Sequence, residues 1–174
     1  MHDWWLRTLL VLQAPRPVFV ALRDDRSESA QARAEPVLLI VLLSGIALAL
    51  ASHAAAGYHG LDLAVWLFLA GGITGVAAYW FFGAILFGVA RGLGSKGSYR
   101  RARHVLAFAC VPIALSLVAA PLGHRLYAWV CLGFVAWAVA LLVVGVRAVH
   151  GWSWQRAAAA AVVPVVVGAG LLAL

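Results

Sequence analysis

Hydrophobic positions along this chain come in long unbroken runs, and polar positions are gathered into the short gaps between them. Five runs qualify as membrane-crossing helices: about 36–56, 63–90, 104–122, 126–146 and 157–174. None of them holds an acidic residue, a lysine or an arginine. The first would rise about 31 Å as a helix, enough to cross the hydrocarbon core. The second is longer than a crossing needs, which predicts tilt or an extension beyond the bilayer. Only "GHR" at 123–125 separates the third from the fourth, so those two form an antiparallel hairpin.

Residues 1–35 read differently and form a separate N-terminal segment. In "MHDWWLRTLLVLQ", Trp4, Trp5, Leu9 and Leu12 recur at helical spacing. A tryptophan-bearing amphipathic helix suits the headgroup layer, although the same face could pack on the protein's own spans. "PRPVFVALRDDRSESAQARAEP" predicts a second helix, with Pro17 in its first turn and Pro36 at its end. The fold class is therefore an all-α integral membrane protein: five transmembrane helices (36–174) behind a short interfacial helical segment (1–35).

Composition removes the soluble alternative. Hydrophobic residues make up 65% of the 174 positions and charged residues 11%, against about 25% charged in a soluble domain. The run Leu9–Leu12 is too short for a cleaved signal peptide and is followed by Gln13, Pro15, Arg16 and Pro17. A net charge of +7 would suggest nucleic acid in a soluble protein. Here twelve of the thirteen Lys and Arg residues fall in the N-terminal segment and the second and fourth connections, which lie on one side of the spans, with Arg125 the exception. The positive-inside rule then places the N-terminus in the cytoplasm and the C-terminus outside, and no nucleic-acid partner is called for.

The densest basic stretch is "RGLGSKGSYRRAR" at 91–103, between the second and third runs. It lacks the G-x-x-x-x-G-K-[ST] order of a nucleotide-binding loop, since Gly97 follows Lys96. Lys96, Tyr99, Arg100, Arg101 and Arg103 instead form a candidate site for lipid headgroups or a partner. Each basic residue near an anionic surface is worth about 1 kcal/mol.

Other candidates are weaker. His53, His59 and His124 fall on the outer side with Asp62, but without a close metal-ligand spacing, so neither a metal nor any other cofactor is expected. The runs contain no acidic residue and no lysine, which argues against proton-coupled transport and intramembrane hydrolysis. Ser44, Thr74 and Ser116 are expected to bond helix carbonyls. Cys110 and Cys131 should lie at different depths, too far apart for a disulfide. Gly71 and Gly75, with Gly83 on nearly the same stripe, predict close helix packing. Gly88 and Gly92 repeat the four-residue spacing, and Pro112 and Pro164 are expected to kink their helices. "SYRRARHVLAFACVP" and "SWQRAAAAAVVP" form a weak repeat, which would pair spans two with three and four with five as parallel hairpins.

"PRPVFVAL", "GLGSKGSYRRA", "FACVPIALSL" and "VHGWSWQRAAAAAVVP" together resemble the Ypt/Rab-interacting (YIP) membrane protein family in its bacterial branch, over roughly 10–170. The resemblance implies five helices and a cytoplasmic N-terminus. In eukaryotes the family is linked to Rab GTPases, vesicle traffic and membrane shaping. That role does not transfer, because bacteria lack the vesicle pathway.

Two functions remain from the sequence. One is a non-enzymatic scaffold or adaptor in a bacterial plasma (inner) membrane, meeting anionic lipid or a protein partner through its spans and its basic inner face, or forming a homo-oligomer. The alternative is a small transporter or lipid-translocating protein, whose polar path would have to use Thr74, Tyr79 and Ser116.

Overall fold

The computed structural model describes residues 4–24, 26–52, 55 and 57–172. Helices account for nearly all of them. α1 (Trp4–Gln13) and α2 (Pro15–Ala21) are short and lead into α3 (Ser27–Ala51). α4 (Gly60–Trp66), a π-helical stretch (Leu67–Ile73) and α5 (Thr74–Gly92) form one helical rod. The third run is divided into α6 (Tyr99–Ala109), α7 (Val111–Leu115) and a 3-10 turn (Ser116–Leu122). α8 (His124–His150) and α9 (Trp154–Leu172) complete the chain.

Among the described residues, four helical segments are long and apolar enough to cross a membrane: Glu28–Ala51, Gly60–Gly92, Tyr99–Leu122 and His124–His150. Trp154–Gly170 is a shorter apolar helix. At about 1.5 Å per residue, the 33-residue Gly60–Gly92 rod measures about 50 Å and outreaches the hydrocarbon core, as its length in sequence predicts. Large apolar side chains such as Leu61, Phe68, Phe81, Val118 and Trp129 are exposed on the outside of the bundle. A surface of that kind needs lipid as its solvent.

α3 is the hub: it packs on α1, on the π-helical stretch, and on α5, α6, α7 and α8. Its closest approach is at Gly45. A β-carbon built there would overlap the carbonyl oxygen of Gly71 and lie 2.9 Å from Cα of Gly75. The G-x-x-x-G pair is thus used within the chain. Gly83 is not on that stripe. Eight α-helical residues leave it about 80° around the helix from Gly75, and it packs on the aliphatic stem of Arg103. No atom comes within 4 Å of a β-carbon at Gly88 or Gly92.

These prolines behave in two ways, inside a helix or in its first turn. Pro36 lies inside α3, although the sequence suggests a helix end there; its ring is buried by its neighbours, and packing outweighs the lost hydrogen bond. Pro112 stands in the first turn of α7, where a missing N–H is harmless, and the α-helix of the third run is interrupted just before it at Cys110. Pro164 is carried within α9.

The N-terminal helices are built into the bundle. Val11, Val18, Phe19 and Leu22 join its core. Trp4 is 3% exposed and sits against Phe108 with ring centroids 5.7 Å apart, whereas its neighbour Trp5 is 46% exposed. α1 therefore packs one face on the spans and presents Trp5, Leu6, Leu9 and Leu10 outward. α2 lies on α8, with the Phe19 ring against the bare backbone of Gly145.

Candidate functional site

The basic stretch between α5 and α6 folds into a short cap across one end of the bundle. Gly94 turns the chain with φ of +85°, a backbone region that disfavours any side chain. Ser98 then starts α6, its hydroxyl accepting the backbone N–H of Arg101 at 3.1 Å. Ser95 is buried, and its hydroxyl accepts the N–H of Gly97 at 2.9 Å.

The five side chains singled out from the sequence have different fates. Lys96 is exposed and Arg100 half-buried. Arg101 reaches across to the N-terminal segment, donating from Nη2 to the carbonyl oxygen of Arg23 at 2.7 Å. Arg103 turns into an aromatic enclosure, with its guanidinium carbon 3.5 Å from the Trp80 ring centroid, 4.7 Å from Tyr99 and 5.2 Å from Tyr79. Tyr99 closes this enclosure by donating its hydroxyl to the Trp80 carbonyl at 2.8 Å. Arg103 and Tyr99 thus hold α6 against α5, while Lys96 and Arg100 stay at the rim.

Cations from elsewhere in the chain gather at the same end, and the sequence alone does not single them out. Arg23 donates from Nε to the carbonyl oxygen of Ala148, at 3.0 Å, in the last turn of α8. Arg156 donates to the carbonyl oxygen of Leu93, just past the end of α5. Guanidinium groups near helix C-termini are favourably placed against the helix dipole. His150 ends α8, with its Nδ1 3.2 Å from the Ser95 hydroxyl and its ring stacked 4.5 Å from Trp152. The positive φ that stops α8 belongs to Gly151. A signal was available in hindsight: each of these residues lies within a few positions of a helix end.

Arg33 lies deeper and is fully buried. It donates from Nη1 to the carbonyl oxygen of Asp24 at 2.8 Å and lies over the Trp4 ring. At the same corner the Ser29 hydroxyl, with help from Arg26, holds the Asp24 carboxyl below its ordinary range.

Among the described residues no three His, Cys, Asp or Glu side chains come together as a metal site. His59 is exposed ahead of α4, His124 begins α8, and His53 lies outside the described residues. The hydroxyls of the helical runs bond to protein, Ser44 and Ser116 inside the bundle and Thr74 on its exposed side. Ser44 donates to the Cys110 carbonyl at 3.1 Å, which stitches α3 to the break in the third run. Thr74 back-bonds to the Ala70 carbonyl. Ser116, Tyr127 and Cys131 form a small buried cluster.

Residues 9–174 match the Yip1 domain. The chain belongs to the Yip1 domain family. Together with the apolar helices, that membership identifies a multi-pass membrane protein. No curated protein and no solved structure matches the chain.

Proposed function

We propose that this Yip1-domain protein is a non-enzymatic scaffold or adaptor of a bacterial plasma membrane, crossing it five times with its basic end in the cytoplasm. On this reading α9 is the fifth crossing, and α5–α6 and α8–α9 are the two hairpins of a duplicated unit. Residues 1–35 and 36–174 act as a docked cytoplasmic segment and a membrane domain. The observation that carries the reading is the one-ended cluster of cations, with Arg16, Arg23, Arg26, Arg91, Lys96 and Arg156 all exposed. Such a face suits the anionic headgroups of an inner leaflet, or an acidic partner. The transporter alternative finds less support. The crevice between α5, α6 and α8 at this end encloses only about 10 Å³, and Ser44, Thr74 and Ser116 bond to protein carbonyls.

Co-purified lipid tests the reading. Chain extracted from membranes containing phosphatidylglycerol should be enriched in that lipid. K96Q/R100Q, which alters only rim cations, should lose about 2 kcal/mol of attraction at low salt. Equal enrichment in parent and variant, with topology unchanged, refutes the headgroup role of this rim.

A further inference from the structure

Two interruptions in neighbouring helices lie at one level of the bundle. The second run changes to π-helical hydrogen bonding over Leu67–Ile73, and the α-helix of the third is interrupted at Cys110, midway along Tyr99–Leu122. Consecutive residues of α3 hold both. The Ser44 hydroxyl donates to the Cys110 carbonyl at 3.1 Å. Gly45 meets Gly71 and Gly75 backbone to backbone, so close that a β-carbon at Gly45 would lie 2.9 Å from Cα of Gly75. Bends in helices concentrate at π-helical stretches and at prolines, and Pro112 follows the second interruption.

Between the interruptions, α5 and α6 form one stiff hairpin. Tyr99, at the start of α6, donates to the Trp80 carbonyl of α5 at 2.8 Å, and its ring lies 5.8 Å from that of Phe87. The Arg103 stem packs on Gly83, and its guanidinium carbon lies 3.5 Å from the Trp80 ring centroid. Outside the interruptions, the π-helical stretch and α7 are packed on α3, and α7 also on α8.

The free end of the hairpin is fastened by polar contacts to three other parts of the chain. Arg101 donates to the Arg23 carbonyl at 2.7 Å, and Arg23 is itself held to the end of α8 by the Ala148 carbonyl. The Ser95 hydroxyl lies 3.2 Å from Nδ1 of His150 in α8, and Arg156 of α9 donates to the Leu93 carbonyl. Behind these contacts the seam along α8 is apolar. Leu86, Ala90, Ala102 and Val105 line one side and Val146 and Val149 the other, around a crevice of about 10 Å³. Lipid chains are as apolar as these side chains, so apolar burial alone gives little drive to keep the seam closed in a bilayer. The polar fastenings set the balance.

We propose that the α5–α6 hairpin is a hinged flap, pivoting at Leu67–Ile73 and Cys110 against Ser44 and Gly45, and latched shut by Arg101, Ser95 and Arg156. Release swings its tip, with Lys96, away from α8 and α9 and opens the apolar seam to lipid chains. The device depends neither on the headgroup role of the rim nor on the direction in which the chain crosses the membrane.

Spin labels measure the swing. The full chain, with Cys110 and Cys131 changed to alanine, is placed in phosphatidylcholine nanodiscs with labels at Lys96→Cys on the hairpin and Gln155→Cys at the start of α9. In R101Q/R156Q, EPR distance measurement should show a second, longer separation. Its population relative to the short one should rise roughly tenfold or more over the parent, because two hydrogen bonds from charged groups are lost. A pair within the hairpin, Gly88→Cys and Arg100→Cys, should keep one separation throughout. Pro112→Ala restores the N–H that closes an α-helical bond onto the Phe108 carbonyl. Added to R101Q/R156Q, it should return the distribution to the short separation. S95A, which removes one fastening with little change in volume, takes the place of R101Q/R156Q if that variant does not fold, and should give a smaller rise. A single unchanged separation between 96 and 155 in the latch variant overturns the flap. A new separation within the hairpin also overturns it, because that is local unfolding. A long separation that survives P112A places the motion elsewhere and overturns the hinge; if P112A does not fold, the two label pairs decide.

Discussion

A β-carbon at Gly71 would lie 2.8 Å from the carbonyl oxygen of Gly45. Backbone therefore meets backbone where α3 crosses the π-helical stretch, and neither side can give way as a flexible side chain could. Gly71→Ala is expected to destabilise the bundle by about 1–3 kcal/mol through overpacking. Gly88→Ala, with open space around it, should be neutral or stabilising by up to about 1 kcal/mol, because alanine is the better helix former. Thermal unfolding in detergent compares them. Equal midpoints for the two variants contradict the crossing.

Arg103 and Lys96 should behave oppositely when changed to glutamine. Arg103 is ringed by Trp80, Tyr99 and Tyr79, and a partly desolvated cation over aromatic faces is worth about 1–2 kcal/mol. R103Q is thus expected to lower stability at any salt concentration, while K96Q, at an exposed position, leaves it unchanged and weakens lipid attraction only at low salt. A salt-dependent loss of stability for R103Q would return Arg103 to the headgroup surface.

The adjacent tryptophans of α1 offer another contrast. Trp4 fills a core site against Phe108, and Trp5 faces outward. Trp4→Ala should cost about 3 kcal/mol or more, and Trp5→Ala little. In a bilayer, a lipid-attached quencher should lose part of its effect on total tryptophan emission in Trp5→Phe and keep it in Trp4→Phe. The reverse pattern would mean that α1 is docked by its other face.

Orientation is testable by labelling. Ser95 is a poor site for a reporter cysteine because it is buried, so Lys96→Cys is preferable, paired with Gly60→Cys at the opposite end of the α4–α5 rod. In whole cells the impermeant reagent should reach position 60 and not position 96. Labelling at 96 from outside inverts the proposed topology.

How much of this was legible depends on the range of the interaction. Apolar runs announce helices because lipid demands internally bonded backbone, and the one-sided placement of Lys and Arg marks the basic end. Prolines were harder: Pro36, Pro112 and Pro164 give the same local signal, yet one is absorbed into α3, one starts α7 after a break, and one is carried inside α9. What packs around the ring decides, and that lies far away in sequence. The same limit applies to the site. Lys96 and Arg103 look alike in the sequence, but the rings that claim Arg103 include Tyr79 and Trp80, more than twenty residues upstream. Arg23 and Arg156 join the cluster only through carbonyls at the ends of α8 and α5.

Tyr127 ties α8 to α3, and its hydroxyl should prove coupled to that of Ser116. Tyr127 donates to the Ala47 carbonyl at 3.1 Å, and Ser116 lies 3.2 Å from the Tyr127 oxygen and 2.7 Å from the Ile113 carbonyl. Each hydroxyl has one proton. With the Tyr127 proton committed to Ala47, the Ser116 proton is divided between Ile113 and Tyr127. Both residues are almost fully buried, so no water can replace a lost partner. Hydrogen bonds between helices in a membrane are worth about 0.6 kcal/mol on average and up to about 1.7. Y127F should therefore cost about 1 kcal/mol, and S116A a similar amount. The double variant should cost less than the two together, because removing either hydroxyl already breaks the contact between them. Unfolding of all three variants in one detergent completes the cycle. Strict additivity would show that the two hydroxyls act independently, each on its own carbonyl, and that no chain of hydrogen bonds runs from Ser116 through Tyr127 to α3.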